Sequence, residues 1–199
     1  MKKNEDICNI KPILGHEVAY KVFHCIGYFR QLKEAIFITF TLQNYEFIGH
    51  GLLSNLLSRQ TINKAKITLI TTPPPPPEIR GIKLFFEKLD LLENLNHNGI
   101  KIFLNEKLHA KVYLFHDNQN VTTTIVGSPN LTTGGFGVWR NPDKGLLELA
   151  LITNNPKLYK EIMNFIKYRF ITKKDTLEFN KWLQLNRVRI AYWKSRRKL

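Results

Sequence analysis

Between Glu34 and Thr153 the chain repeats one pattern: short β-branched and aromatic runs, each closed by a turn signal, with two longer amphipathic stretches among them. "EAIFITFT" (34–41), "KITLITT" (66–72), "GIKIFLN" (99–105), "LHAKVYLFH" (108–116), "TTTIVGS" (122–128) and "GLLELALIT" (145–153) have the length and composition of buried strands. "EIRGIKLFFEKLDLLENLNHNG" spaces its apolar residues as one helical face does and stops at Asn98-Gly99. "HGLLSNLLSRQTINKA" reads as an earlier helix, with Leu52, Leu53, Leu56 and Leu57 on one side. "NPKLYKEIMNFIKYRF" reads as a later one, with Asn155 as its cap and Pro156 at its first position. Strand, helix, strand, helix and then several strands specify an α/β fold, with a mixed β-sheet flanked by helices on both faces. The five prolines at Pro73–Pro77 fall between a strand and a helix, where they form a stiff surface loop.

The 199 residues are 43% hydrophobic, enough for one domain with a real core. Charge is unevenly placed along them. From Thr153 onward there are 13 basic against 3 acidic residues, a net of +10, whereas the preceding residues carry only +4. A basic end on a nearly balanced body suits a polyanion, most often nucleic acid. Residues 1–170 are read as the catalytic domain. Residues 171–199 are read as a basic extension, a linker to or remnant of a DNA-recognition region, in which Arg187, Arg189, Arg196 and Arg197 contact DNA. Two cysteines, Cys8 and Cys25, make no disulfide framework and read as buried free thiols. No signal-peptide core or membrane-length apolar run is visible, so the expected location is the cytoplasm, away from any membrane.

"KLHAKVYLFHDNQNVTTTIVGSPN" (107–130) carries the chemistry. Alternation along a strand puts His109 and Lys111 on the face shared with Tyr113 and Phe115, and puts Leu108, Ala110, Val112 and Leu114 on the other. An imidazole beside an ammonium suits a phosphate: the lysine supplies charge, and the histidine acts as nucleophile or proton shuttle. Ser128 and Asn130, in the turn after the next strand, offer hydroxyl and amide donors to anionic oxygens. Glu148, a carboxylate among leucines, is the candidate to orient His109 from its other ring nitrogen. His16, His24, His50 and His97 have no such company, and His116 is assigned no chemistry.

His-x-Lys followed by Gly-Ser-x-Asn, here "HAK" at 109–111 and "GSPN" at 127–130, resembles the signature of the phospholipase D superfamily. "NLTTGGF" and "LLELALIT" are similar to that family too. One departure is that many members have Asp five residues after the lysine, where this chain has His116 and places Asp117 one position late. Single-motif bacterial endonucleases often dispense with that aspartate. The resemblance therefore implies the α/β/α sandwich of that superfamily and metal-independent phosphodiester cleavage through a phosphohistidine, with no cofactor. Because the motif occurs once, it also implies a homodimer with a composite active site. Within that superfamily the chain resembles restriction endonucleases of this type, with DNA as substrate; recognition is then supplied by a further domain or a partner chain, or cleavage is non-specific. A phospholipid hydrolase or phosphatidyl transferase, and a non-catalytic nucleic-acid-binding module, are the competing readings.

Overall fold

The computed structural model describes residues 10–28, 32–43, 46–47, 50–51, 64–132, 148–171 and 175–197. The strands are β1 (Lys11–Leu14), β2 (Leu32–Ile38), β3 (Glu46–Phe47), β4 (His50–Gly51), β5 (Lys66–Thr71), β6 (Lys101–Asn105), β7 (Val112–Asp117), β8 (Thr122–Gly127), β9 (Leu149–Thr153) and β10 (Thr176–Glu178). The helices are α1 (Gly15–Tyr28), α2 (Pro77–Arg80), α3 (Ile82–His97), α4 (Pro156–Ile166), α5 (Phe179–Leu185) and α6 (Arg187–Arg196). Eight strands form one sheet in the order β1-β9-β8-β7-β2-β5-β6-β10, and β3 and β4 pair separately.

Only β2, β5 and β6 run parallel, and their neighbours are antiparallel. α3 makes the crossover between β5 and β6 that a parallel pair requires. This is the mixed sheet expected from the sequence.

Alternation along the strands builds two cores. On one face Ala35 and Phe37, Ile67 and Leu69, Ile102 and Leu104, and Tyr113 and Phe115 pack against apolar residues of α1, α3, α5 and α6. On the other, Ile36, Ile38, Ile70, Phe103 and Leu114 pack against Tyr159, Met163 and Ile166 of α4. Helices therefore cover both faces. α4 is capped as expected: Asn155 Oδ1 accepts from the backbone nitrogens of Lys157 and Leu158 at 2.9 and 3.3 Å. α3 ends at Asn98, followed by Gly99 at φ +87°, a conformation that favours glycine.

Several expectations change in detail. The strand read over 108–116 begins only at Val112, so His109 and Lys111 lie ahead of β7 rather than within it. The reason is loss of partners: Val112 pairs with Ile38, the last residue of β2, and beyond that only the Gly127 nitrogen reaches back, to Lys111 O at 3.2 Å. Likewise Glu148 precedes β9 by one residue; positions 145–147 of that run are outside the described residues, as are 52–63 of the early helix.

The segment after residue 170 is attached to the body. β10 pairs antiparallel with β6, and Phe179, Trp182 and Ile190 are buried in the larger core. Among the described residues, no helix is long and apolar enough to cross a membrane.

Candidate active site

β2 ends where β7 begins, and the start of β7 faces the end of β8, which in turn faces the start of β9. This connectivity gathers His109 and Lys111, Ser128 and Asn130, and Glu148 at one end of the sheet. It is the end at which the parallel strands finish, the usual place for ligands in sheets with parallel strands.

Asn130 is oriented by the chain leaving β2. Its Oδ1 accepts from the Thr41 nitrogen at 3.2 Å and lies 3.4 Å from Thr39 Oγ1. A backbone N–H can only donate, so it fixes which amide atom faces inward, and Nδ2 is left without a partner among the described residues. Thr39 is fully buried. Its hydroxyl donates to Thr41 O at 2.6 Å and accepts from the Leu131 nitrogen at 3.2 Å, pinning both sides of the asparagine.

Next to it, the ring of Phe40 tilts against the ring of His109 with centroids 5.6 Å apart. His109 is otherwise exposed and Lys111 is half-buried. Neither makes a hydrogen bond or ion pair among the described residues, which leaves both available to an anion.

Ser128 is committed differently. Its nitrogen donates to Leu149 O at 3.0 Å, and its hydroxyl accepts from the Leu149 nitrogen at 3.1 Å and approaches Leu149 O at 3.3 Å. The side chain therefore splices the Gly-Ser-Pro-Asn turn to the start of β9, beside Glu148. Gly127 is needed at this splice because an added Cβ would come within 2.5 Å of Ala150 Cβ and 2.6 Å of the backbone on β9. Tyr113 supports the turn from below, its hydroxyl donating to Pro129 O. Burial pushes the Tyr113 phenol up, the Thr39 hydroxyl opposes this, and the negative charge of Glu148 adds to it. Among the described residues Glu148 makes no hydrogen bond to His109.

Of the four arginines singled out in the sequence, Arg189 pairs with Glu78 at 2.8 Å and Arg197 with Asp90 at 3.2 Å, so both tie α6 to the body. Arg197 also lies 4.7 Å from the centroid of the Phe86 ring, and Arg196 lies 5.2 Å from that of Tyr192. Arg187 is exposed.

Sequence reasoning missed Thr39, Phe40 and Thr41. The only signal was polarity: two threonines flanking a phenylalanine at the end of an otherwise apolar strand run.

Comparison with known proteins speaks to the fold and the family. Residues 28–169 match the family described as cardiolipin synthase, PLD-like domain. No curated protein matches the sequence. Among solved structures, Nuc from Salmonella typhimurium, a phospholipase D family member, is 14% identical with a TM-score of 0.55, over 86% of this chain and 97% of that one. NucT from Helicobacter pylori is 11% identical with a TM-score of 0.57, over 86% and 99%. Phosphatidylserine synthase from Haemophilus influenzae Rd KW20 is 12% identical with a TM-score of 0.61, over 84% of this chain but only 38% of that longer one. At these identities the structures speak for the fold, and the sequence match over most of the chain speaks for the family. The chain belongs to the family of phospholipase-D-like domains.

Proposed function

We propose that the protein is a metal-independent phosphodiesterase that cleaves DNA through a phosphohistidine, as a homodimer with one composite active site. The observation that carries this reading is the pairing at one sheet end of an uncommitted imidazole and ammonium with an asparagine whose amide hydrogens face away from its anchor. A ring nitrogen of His109 attacks phosphorus as the bond to the leaving oxygen breaks. In-line displacement puts nucleophile and leaving group on opposite sides of phosphorus, so a second acid is needed. His109 of the partner subunit protonates the leaving oxygen and then takes a proton from the water that hydrolyses the phosphorus–nitrogen bond. Lys111 and Asn130 Nδ2 stabilise the phosphoryl oxygens. Glu148 stabilises the charged imidazole, and Ser128 acts by holding the start of β9 beside Glu148.

The same sheet end supports a two-fold partner. Val112, Val126, Leu151 and Pro12 are successive neighbours across β7, β8, β9 and β1, and Leu14 pairs with Leu149. Val126, Leu14, Leu149 and Leu151 are 39–55% exposed, an apolar sheet surface of the kind that isologous contacts cover.

DNA is the substrate favoured by the basic C-terminal part, with Arg187 and Arg196 free of ion pairs and available to phosphates among the described residues. Arg189 and Arg197 would have to share themselves between phosphates and their carboxylate partners. Specificity of the restriction type would need a recognition domain or partner chain. A phospholipid substrate is the second reading, favoured by the name of the matched family and by the phosphatidylserine synthase likeness.

The test assays plasmid DNA and phospholipid vesicles side by side, with and without millimolar chelator, and then mixes wild-type with His109→Ala subunits in equal amounts. DNA cleavage should persist in chelator. Because random pairing leaves about a quarter of dimers with both histidines, the mixture should fall well below half activity. Half activity, lipid turnover alone, or a requirement for magnesium would overturn the reading.

A further inference from the structure

Phe40 and Thr41 also form one wall of a groove of about 1090 Å³ that runs from the His109 end of the sheet toward α5 and α6. Its opposite walls are the proline run at Pro73–Pro76, the exposed side of α3, and Trp182. Lys88 lies within it, largely desolvated. Lys88 Nζ donates to Thr72 Oγ1 at 2.7 Å, Thr72 Oγ1 donates to Phe40 O at 2.9 Å, and the Phe40 ring rests on His109. Two hydrogen bonds and one ring contact thus connect a half-buried lysine to the candidate nucleophile.

Lys88 has no ion pair among the described residues, and Thr72 satisfies only one of its three donors. A helix position serving packing alone would be better filled by leucine or methionine, since an unpaired buried charge is costly. Desolvation pushes the amine down to about 7, so Lys88 gains a proton when an anion binds beside it. The other charged groups on the groove wall are Arg80, Glu87, Glu106 and Arg189. Glu87 is engaged by Lys83 and Arg189 by Glu78.

We propose that the groove is a second phosphate subsite of the same active site, in which Lys88 binds the phosphodiester next to the scissile one and the adjoining base lies against the prolines and Trp182. The groove's continuity with Phe40, its unpaired ammonium and its apolar walls favour one strand of a polynucleotide over a free small anion. The inference rests on the phosphodiesterase reading for the position of the scissile phosphate.

The sign of the linkage is fixed by chemistry. Bound phosphate raises the lysine's proton affinity, so binding takes up a proton above about pH 7, and affinity should fall with rising pH by up to about tenfold per unit. The test measures binding of a short single-stranded DNA to the His109→Ala protein from about pH 6 to about pH 9. Adding Lys88→Arg should keep the affinity and flatten the profile, because arginine stays charged. Adding Lys88→Met should weaken binding at the acid end by roughly tenfold and flatten the profile too. Circular dichroism of each variant reports whether it is folded, and the arginine and methionine variants are read independently. Binding by Lys88→Met as tight as the parent's, or a pH profile unchanged in both variants, would overturn the subsite. Plasmid cleavage by the wild type is scored separately. Cleavage with Lys88-independent binding removes the subsite alone, whereas Lys88-dependent binding without cleavage supports the subsite and removes the phosphodiesterase reading.

Discussion

The β7–β8 hairpin has two ends with similar side chains and opposite fates. At the closed end, Asp117 Oδ1 accepts from the nitrogens of Gln119 and Val121 at 2.9 and 2.8 Å, and Asn120 adopts φ +63° to make the turn. His116 there packs against Tyr159, with Asn120 Oδ1 3.4 Å away. At the open end, His109 and Lys111 lie beyond the last strand pair, and the asparagine's anchor is the segment that follows β2. The closed end spends its polar groups on the turn itself, a local arrangement of four residues. The open end has no turn to make, so its polar side chains remain available to a ligand. A histidine, an asparagine and a nearby carboxylate occur at both ends, and connectivity separates those committed to a turn from those left available.

The comparison can be broken first at Asn130. Asn130→Ala removes the amide donors but leaves Thr39 and Thr41 in place, so turnover should fall by about a hundredfold to a thousandfold in a steady-state cleavage assay. A change in KM alone would reduce Asn130 to substrate binding. Glu148→Gln should cost less, about a hundredfold or below, because the neutral amide keeps the shape and loses the charge that stabilises imidazolium. Full activity in that variant would remove Glu148 from the site. The smallest effect on turnover belongs to the closed end. Asp117→Ala should lower stability by about 2 kcal/mol in a denaturant titration, for loss of two hydrogen bonds to a buried carboxylate, with kcat within about twofold. A collapse of kcat in folded Asp117→Ala would mean that the two ends are coupled and that the departure from the family's aspartate position matters to catalysis.

Some of this was legible from residue types alone. "EAIFITFT" was readable as a buried strand, and its Ala35 and Phe37 enter one core while Ile36 and Ile38 enter the other. Asn155-Pro156 marked the start of a helix, and Asn98-Gly99 marked the end of one, because caps and left-handed glycines are local signals. "HAK" and "GSPN" were readable as a pair because their chemistry lies within one hairpin. Strand limits at His109 and Glu148 were misjudged because a ladder ends where its neighbour ends, and the neighbour's length is not written in the strand itself.

The long-range features were invisible for the same reason. Thr39 and Thr41 reach Asn130 across about ninety positions, and Lys88 shares its groove with the Pro73–Pro76 run and with Trp182, which lies far along the chain. The basic C-terminal part read as an extension because charge dominates its composition. In the structure β10 pairs with β6, and Phe179, Trp182 and Ile190 lie in the larger core. Residue types, spacing and local caps determined the elements, the family and the candidate side chains for the site. Which strand ended first, which amide atom faced outward and which ammonium was left unpaired were decided by contacts between distant segments, because those energies exist only when the whole sheet is assembled.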